Sequence, residues 1–455
     1  MEAFIEFLPI FMFASLAILL FSGFPVAFVM GGVGLAFWAL AVILGVENGQ
    51  SFFLVVGRIY GGVVSNLVLV AIPMFIFMGI MLERSGIARE LLNTLQIMTR
   101  KLPGGLALSV TLLGVILAAT TGIIGASVVM MTVLALPMMV ERGYDKSLAC
   151  GTIASSGTLG ILIPPSIMLV TMADLLSVSA GSLFLGALMP GLLLAGLYMA
   201  YILITSYLNP TKAPPLVYDK TAPESLSIGQ ILHGFLPPIL LILTVLGSIF
   251  AGIATPTEAS GVGAAGALLL ALLKKKLNFA VLKDVVEQST LTTAMLFGLF
   301  VGATAFSYVF ALLGGHDLII DFIAASGAGS WGILIVLMLA VFLLGFFFDW
   351  IEITLIILPV FAPIIASLDF GTHINAPHLT VVWFAILMAM NLQTSFLTPP
   401  FGFALFYLKG SAPKGVTLSH IYKGIVPFVL LQIAGLVALL LWPDIALWLP
   451  TKLLN

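Results

Sequence analysis

Two apolar runs in this chain each combine hydroxyls and glycines with a Pro-Pro pair part-way along: GTIASSGTLGILIPPS at 151–166 and NLQTSFLTPPFG at 391–402. A proline cannot donate to the carbonyl four residues back, and its ring clashes there. Pro164 and Pro165 therefore release the carbonyls of Gly160 and Ile161, and Pro399 and Pro400 release those of Ser395 and Phe396. Free backbone groups are costly in lipid unless something binds them. Broken helices in corresponding places of two halves point to a transporter's binding site.

The surroundings of these breaks are membrane-like. Of 455 residues, 61% are apolar and only 8% charged, too few charges to cover a soluble surface. Apolar runs of spanning length recur from end to end, so the expected fold class is an all-α polytopic membrane protein. Glu2 and Glu6 lead the first run and no Ala-x-Ala site follows, so no cleavable signal peptide is expected. The single cysteine, Cys150, rules out an internal disulfide or a thiolate cluster. A net charge of −2 and no basic patch with interleaved aromatics argue against nucleic acid. No GxSxG or HExxH signature lies in a span, so no enzyme and no cofactor is expected. The five histidines lack metal-ligand spacing and read as surface residues.

Taken in order, the chain divides into two similar halves. Residues 1–206 hold spans at 4–21, 25–44 and 62–82, then an amphipathic surface arm at 83–101. A hairpin follows at 106–140 with its tip at 121–127, then the first broken helix at 148–178 and a span at 183–206. Residues 207–230, polar and proline-rich, read as a cytoplasmic linker. Residues 231–455 repeat the plan: spans at 232–252, 257–273 and 290–313, an arm at 314–331, a hairpin at 333–365, the second broken helix at 380–408 and a last span at 421–441. Pro137 and Pro363, Pro165 and Pro400, and Pro190 and Pro427 recur at nearly constant offset. The first hairpin is flanked by Arg100, Lys101, Arg142 and Lys146, whereas the second has no Lys or Arg beside it. With both termini outside, ten crossings and two re-entrant hairpins put every Lys and Arg except Arg58 and Lys452 inside. The halves are then inverted repeats, and the hairpins open to opposite faces.

The expected site lies where the hairpin tips meet the breaks. Free carbonyls and hydroxyls are hard oxygen donors that suit an alkali cation. One sodium cluster is read from Thr121, Gly122, Gly125 and Ser127 with Ser155, Ser156, Gly157 and Thr158. A second is read from Asp349, Glu352 and Thr354 with Asn391, Gln393, Thr394, Ser395 and Thr398. Substrate is assigned to Ser127, Ser156, Pro165, Thr354, Asn391, Thr394 and Pro400 between them. Any single hydroxyl is more simply explained as bonding back to its own helix. Asp349 and Glu352 are read as the acids at membrane depth, where ionisable groups are usually functional. With no Lys or Arg in the core, an anionic substrate needs helix N-termini and bound cations to balance it.

The segments GTLGILIPPSIMLVTMADLLSVSAGSLFLGALMPG, AGIATPTEASGVG and NLQTSFLTPPFGFALFYLKG resemble the large membrane subunit of tripartite ATP-independent periplasmic (TRAP) transporters. The resemblance implies a sodium-coupled secondary importer of organic acids in the bacterial inner membrane, working by an elevator motion. It implies a scaffold and a transport domain built from two hairpins and two discontinuous helices. It also implies two partners, a small four-helix membrane subunit and a periplasmic solute-binding protein. The chain shows no extra four spans, so the small subunit is expected as a separate chain. A proton-coupled permease, or a sodium/carboxylate carrier without a binding protein, remains the alternative.

Overall fold

The structure, a computed structural model, describes residues 5–121, 124–215, 228–374, 377–399 and 402–453. Among the described residues there are twenty α-helices and no strands, with a few single 3-10 or π turns between them. In lipid this is the expected solution, since a helix satisfies its own backbone. In chain order the first half contains α1 (Leu8–Phe21), α2 (Val26–Ile43), α3 (Phe52–Ile59), α4 (Ala71–Arg84), α5 (Ile87–Thr99), α6 (Gly105–Thr121), α7 (Ile124–Glu141), α8 (Lys146–Thr158), α9 (Ile167–Leu175) and α10 (Ala180–Leu208). The second half contains α11 (Ile228–Phe250), α12 (Pro256–Leu273), α13 (Phe279–Leu312), α14 (Gly315–Ser326), α15 (Ser330–Leu344), α16 (Trp350–Ser367), α17 (Thr380–Leu397), α18 (Phe403–Ser411), α19 (Leu418–Leu441) and α20 (Asp444–Leu453). Eight of these are long and apolar enough to cross a membrane, or nine if one bent pair counts as a single span.

That bent pair corrects the third span. The apolar run at 62–82 is not one helix: residues 49–64 and 68–84 meet at an angle of 50°. The break falls at Ser65-Asn66-Leu67, two polar residues that offer the backbone alternatives to helix. Both tips are also narrower than the sequence suggested. α7 resumes at Ile124, so Gly125 and Ser127 belong to its first turns. α16 starts at Trp350 with Asp349 as N-cap, so Glu352 and Thr354 are helical. At 18 residues α7 is about 27 Å long. His373 is not a free surface residue: its Nε2 lies 2.7 Å from the Leu440 carbonyl, and its ring meets Trp331 and Trp383 edge-on.

The helices pack in two groups. In one, α2 crosses α13 and α4 crosses α12, with α1 and α11 alongside. Small residues set these crossings: a Cβ on Gly34 would lie 3.1 Å from the Phe306 backbone, and one on Gly263 would lie 2.7 Å from the Met78 sulfur. The amphipathic α5 lays Leu91, Leu92 and Leu95 inward and touches α6 and α11. Two ion pairs fasten this corner, Arg84 to Asp284 at 3.3 Å and Lys274 to Glu90 at 2.7 Å. In the other group, α8 crosses α19 so tightly that Gly151 abuts the Gly424 carbonyl and Gly424 abuts the Ser147 carbonyl. Around them lie α6, α7, α10 and α17, and almost every residue of α17 is buried. That second group contains both breaks.

Candidate functional site

At the first break α8 ends at Thr158, a 3-10 turn covers Leu159–Ile161, and α9 starts after Ser166. The Pro164-Pro165 bond is cis. Ser166 resolves part of the local accounting: its Oγ donates to the Ile161 carbonyl at 2.6 Å and accepts from the Leu169 amide at 3.4 Å. One of the two carbonyls freed by the prolines thus has a partner from the chain itself. At the second break α17 ends at Leu397 and the Thr398 amide donates to the Ser395 carbonyl at 3.1 Å. Gly402 then turns the chain into α18 at φ +43°, a region that favours glycine. A Cβ there would also lie 2.9 Å from the Phe396 carbonyl.

The packing around the breaks is exchanged between the halves. α6 and α7 lie against α8, and α15 and α16 lie against α17. The second pieces go the other way: α9 packs on α16, and α18 packs on α7. α8 and the 159–161 turn touch α17, so the two breaks are drawn together. Close approaches mark each joint. A Cβ on Gly114 of α6 would lie 2.7 Å from the Ser156 carbonyl, and Gly157 abuts Val128 of α7. Gly345, just after α15, abuts the Ser395 hydroxyl. Asn391 donates its Nδ2 to the Met338 carbonyl of α15 at 2.6 Å.

The described hydroxyls of the first predicted cluster lie mainly on α7 and α8. Ser155, Ser156, Thr158 and Ser127 are all buried. Ser156 Oγ donates to Thr111 Oγ1 across to α6 at 3.2 Å. Ser155 and Thr158 instead donate to carbonyls of their own helix, at 3.2 and 2.9 Å. Thr121 closes α6, while Gly122 lies outside the described residues. Pro165 is buried in the break itself. In the second cluster Thr354, Thr394, Ser395 and Thr398 likewise bond their own helices, to the carbonyls of Trp350, Met390, Leu392 and Thr394. Pro400 lies outside the described residues. Asp349 and Glu352 form a capping box. Asp349 Oδ1 accepts from the Trp350 amide at 2.7 Å, and Glu352 Oε2 accepts from the Asp349 amide at 3.2 Å. Gln393 stands apart: it is fully buried on α17, and both its amide oxygen and nitrogen lack a partner among the described residues. Such a group is costly unless a water, ion or ligand meets it. Among the described residues no three His, Cys, Asp or Glu gather as metal ligands, so the donors on offer are hydroxyls, amides and carbonyls.

The family described as "Tripartite ATP-independent periplasmic transporter, DctM component" matches residues 13–445. The chain belongs to this family. As a TRAP large permease it is a multi-span membrane transport protein and not an enzyme. It is 30% identical over 387 residues to the C4-dicarboxylate TRAP transporter large permease protein DctM of Pseudomonas aeruginosa, covering 85% of this chain and 86% of that one. It is 28% identical to the ectoine/5-hydroxyectoine large permease UehC of Ruegeria pomeroyi, over 84% of this chain and 85% of the relative. It is 29% identical to the isethionate permease DctMQ of Oleidesulfovibrio alaskensis, covering 95% of this chain and 65% of that protein. Among solved structures, the YdaH transporter of Alcanivorax borkumensis shares the fold, with TM-score 0.60, 13% identity and 89% of both chains covered.

Three residues of this TRAP permease escaped the sequence reading. Asn66, at the break before α4, donates to Asp174 Oδ1 of α9 at 2.7 Å and to the Gly62 carbonyl at 3.2 Å. The bond joins the two helix groups at the last turn of α9. Ser65-Asn66 inside an apolar run was the available signal. The third is Tyr407 on α18. Its ring lies against Gly125, 2.8 Å from where a Cβ would sit, and Asp349 and Glu352 are near it. It therefore stands between the two tips, a placement that no local pattern announces.

Proposed function

We propose that this TRAP permease couples sodium entry to uptake of an organic acid across the bacterial inner membrane. It works by an elevator motion, with a small four-helix membrane subunit and a periplasmic solute-binding protein. Halves 1–206 and 231–455 form inverted repeats joined by the cytoplasmic linker 207–230, and both termini are periplasmic. The group holding the two breaks is the moving domain, and the group built on α2, α4, α12 and α13 is the scaffold. The observation carrying this reading is the exchanged packing of α9 and α18 on the opposite pairs. It gathers both breaks, both pairs of short helices and the unpaired Gln393 amide in one body. Two independent substrate-free helical bundles have no reason to interlock so.

In the proposed cycle sodium occupies the Ser155-Ser156-Thr158 and Asp349-Gln393-Ser395 regions first. Hydroxyls that now donate to their own helical carbonyls rotate their lone pairs toward the ion, a change that costs little, since a net hydrogen bond is worth about 1 kcal/mol. The bound cations and the helix N-termini then balance the acid. The C4-dicarboxylate and isethionate named for two relatives are both anionic, which supports an acid as the substrate class. The test is uptake into proteoliposomes holding the permease and its two partners, under a sodium gradient and separately under a proton gradient. Sodium-driven uptake that vanishes in the Ser155→Ala/Ser156→Ala/Thr158→Ala variant, at unchanged expression, is expected. Proton-driven uptake, or wild-type sodium-driven uptake in that variant, refutes the proposal.

A further inference from the structure

On the face where basic residues concentrate, a crevice of about 650 Å³ opens between the start of α5, the end of α12 and the flank of α7. Its two walls differ. Val129, Met130, Val133 and Leu134 of α7 form an apolar side, and Arg84, Arg89 and Lys276 rim the other, with Glu83 beside them. A second hollow of about 320 Å³ continues past Gly86, Arg89 and Lys276 to Glu90, Asn93 and Lys274. Two of these cations are engaged already, Arg84 by Asp284 at 3.3 Å and Lys274 by Glu90 at 2.7 Å. Arg89 and Lys276 line both hollows and are exposed, and their side chains have no ion-pair or hydrogen-bond partner among the described residues.

Free cations at one end of an apolar trough have the shape of a phospholipid. Basic pockets between membrane helices on the cytoplasmic side bind anionic headgroups, at about 1 kcal/mol per Lys or Arg. A water-filled vestibule for a small anion is disfavoured by the trough itself, because Val133 is 55% exposed along it. We propose that the crevice holds one anionic phospholipid of the inner leaflet. Its headgroup phosphate sits between Arg89 and Lys276, and an acyl chain lies along Val129, Val133 and Leu134 of α7. Glu83 faces the headgroup side and selects against a second negative charge there. Because α12 belongs to one helix group and α7 to the other, the lipid bridges the joint between them.

The experiment uses the purified full-length chain in detergent with phosphatidylglycerol or phosphatidylcholine of identical acyl chains. Bound adducts are read by native mass spectrometry, and thermal unfolding is followed in parallel. Wild type is expected to retain one phosphatidylglycerol and to gain melting temperature with it, and phosphatidylcholine to do neither. Arg89→Gln/Lys276→Gln leaves both ion pairs intact and should bind phosphatidylglycerol about 30-fold more weakly. Arg89→Lys/Lys276→Arg should retain the lipid, which separates lost charge from lost folding. Lys101→Gln/Lys414→Gln, with the same loss of charge elsewhere, should behave as wild type. Equal retention by the Gln pair and wild type overturns the proposal. So does equal retention of phosphatidylcholine, or an equal melting shift from inorganic phosphate alone.

Discussion

Asp349 separates a structural role from a transport role, because its side chain is placed to perform both. It caps α16, with Oδ1 accepting from the Trp350 amide at 2.7 Å, and its own amide donates back to Glu352. Replacing a capping Asp with Ala costs about 1 kcal/mol, whereas Asn caps a helix as well as Asp does. Asp349→Asn therefore keeps the helix end and removes only the charge, and Asp349→Ala removes both. If the carboxylate offsets a bound sodium, its loss leaves an unbalanced buried cation, which costs about 3–5 kcal/mol. At 1.4 kcal/mol per factor of ten, half-saturating sodium for uptake rises by about 100-fold or more in both variants. Only Asp349→Ala should also lower the melting temperature. The assay is initial uptake rate against sodium concentration, with thermal unfolding of the same preparations. An Asp349→Asn protein with wild-type sodium dependence would falsify a charge role, and capping would then be the residue's whole purpose.

Further outcomes follow from other joints. Gly402→Ala places a Cβ 2.9 Å from the Phe396 carbonyl at φ +43°, so it should destabilise by about 1–3 kcal/mol, read as a lower melting temperature and reduced yield. Gln393→Leu removes an unpaired buried amide; it should leave thermal stability equal or higher while abolishing sodium-stimulated uptake, and retained uptake would show the amide to be dispensable. Asn66→Cys/Asp174→Cys spans a contact between the two helix groups, so oxidative cross-linking should stop uptake reversibly with reductant; undiminished uptake while cross-linked would exclude relative motion there. The one native cysteine, Cys150, is buried and does not compete. Tyr407→Phe keeps the ring against Gly125 and removes the hydroxyl near the acids, and a rise in apparent substrate affinity constant without loss of stability is expected.

The chain by itself determined where helices lose backbone donors. Pro164-Pro165 and Pro399-Pro400 remove them by covalent structure, but Pro237-Pro238 does so inside the continuous α11, so the surrounding packing decided which pairs break a helix. It also determined class, because an 8% charged sequence with repeated apolar runs has no soluble surface to form. The succession of apolar helices was legible for a similar reason, as periodicity and punctuation along one dimension. Tertiary structure decided everything that depends on which atoms meet. α9 and α18 pack on each other's half, Gly345 meets Ser395, and Tyr407 stands between two tips nearly sixty residues and almost three hundred residues away in the chain. That Ser155 donates to the Thr152 carbonyl and that the Ile161 carbonyl accepts from the Ser166 hydroxyl are likewise matters of distance. Hydrogen bonds and close contacts act over a few ångströms, and sequence separation carries no such length.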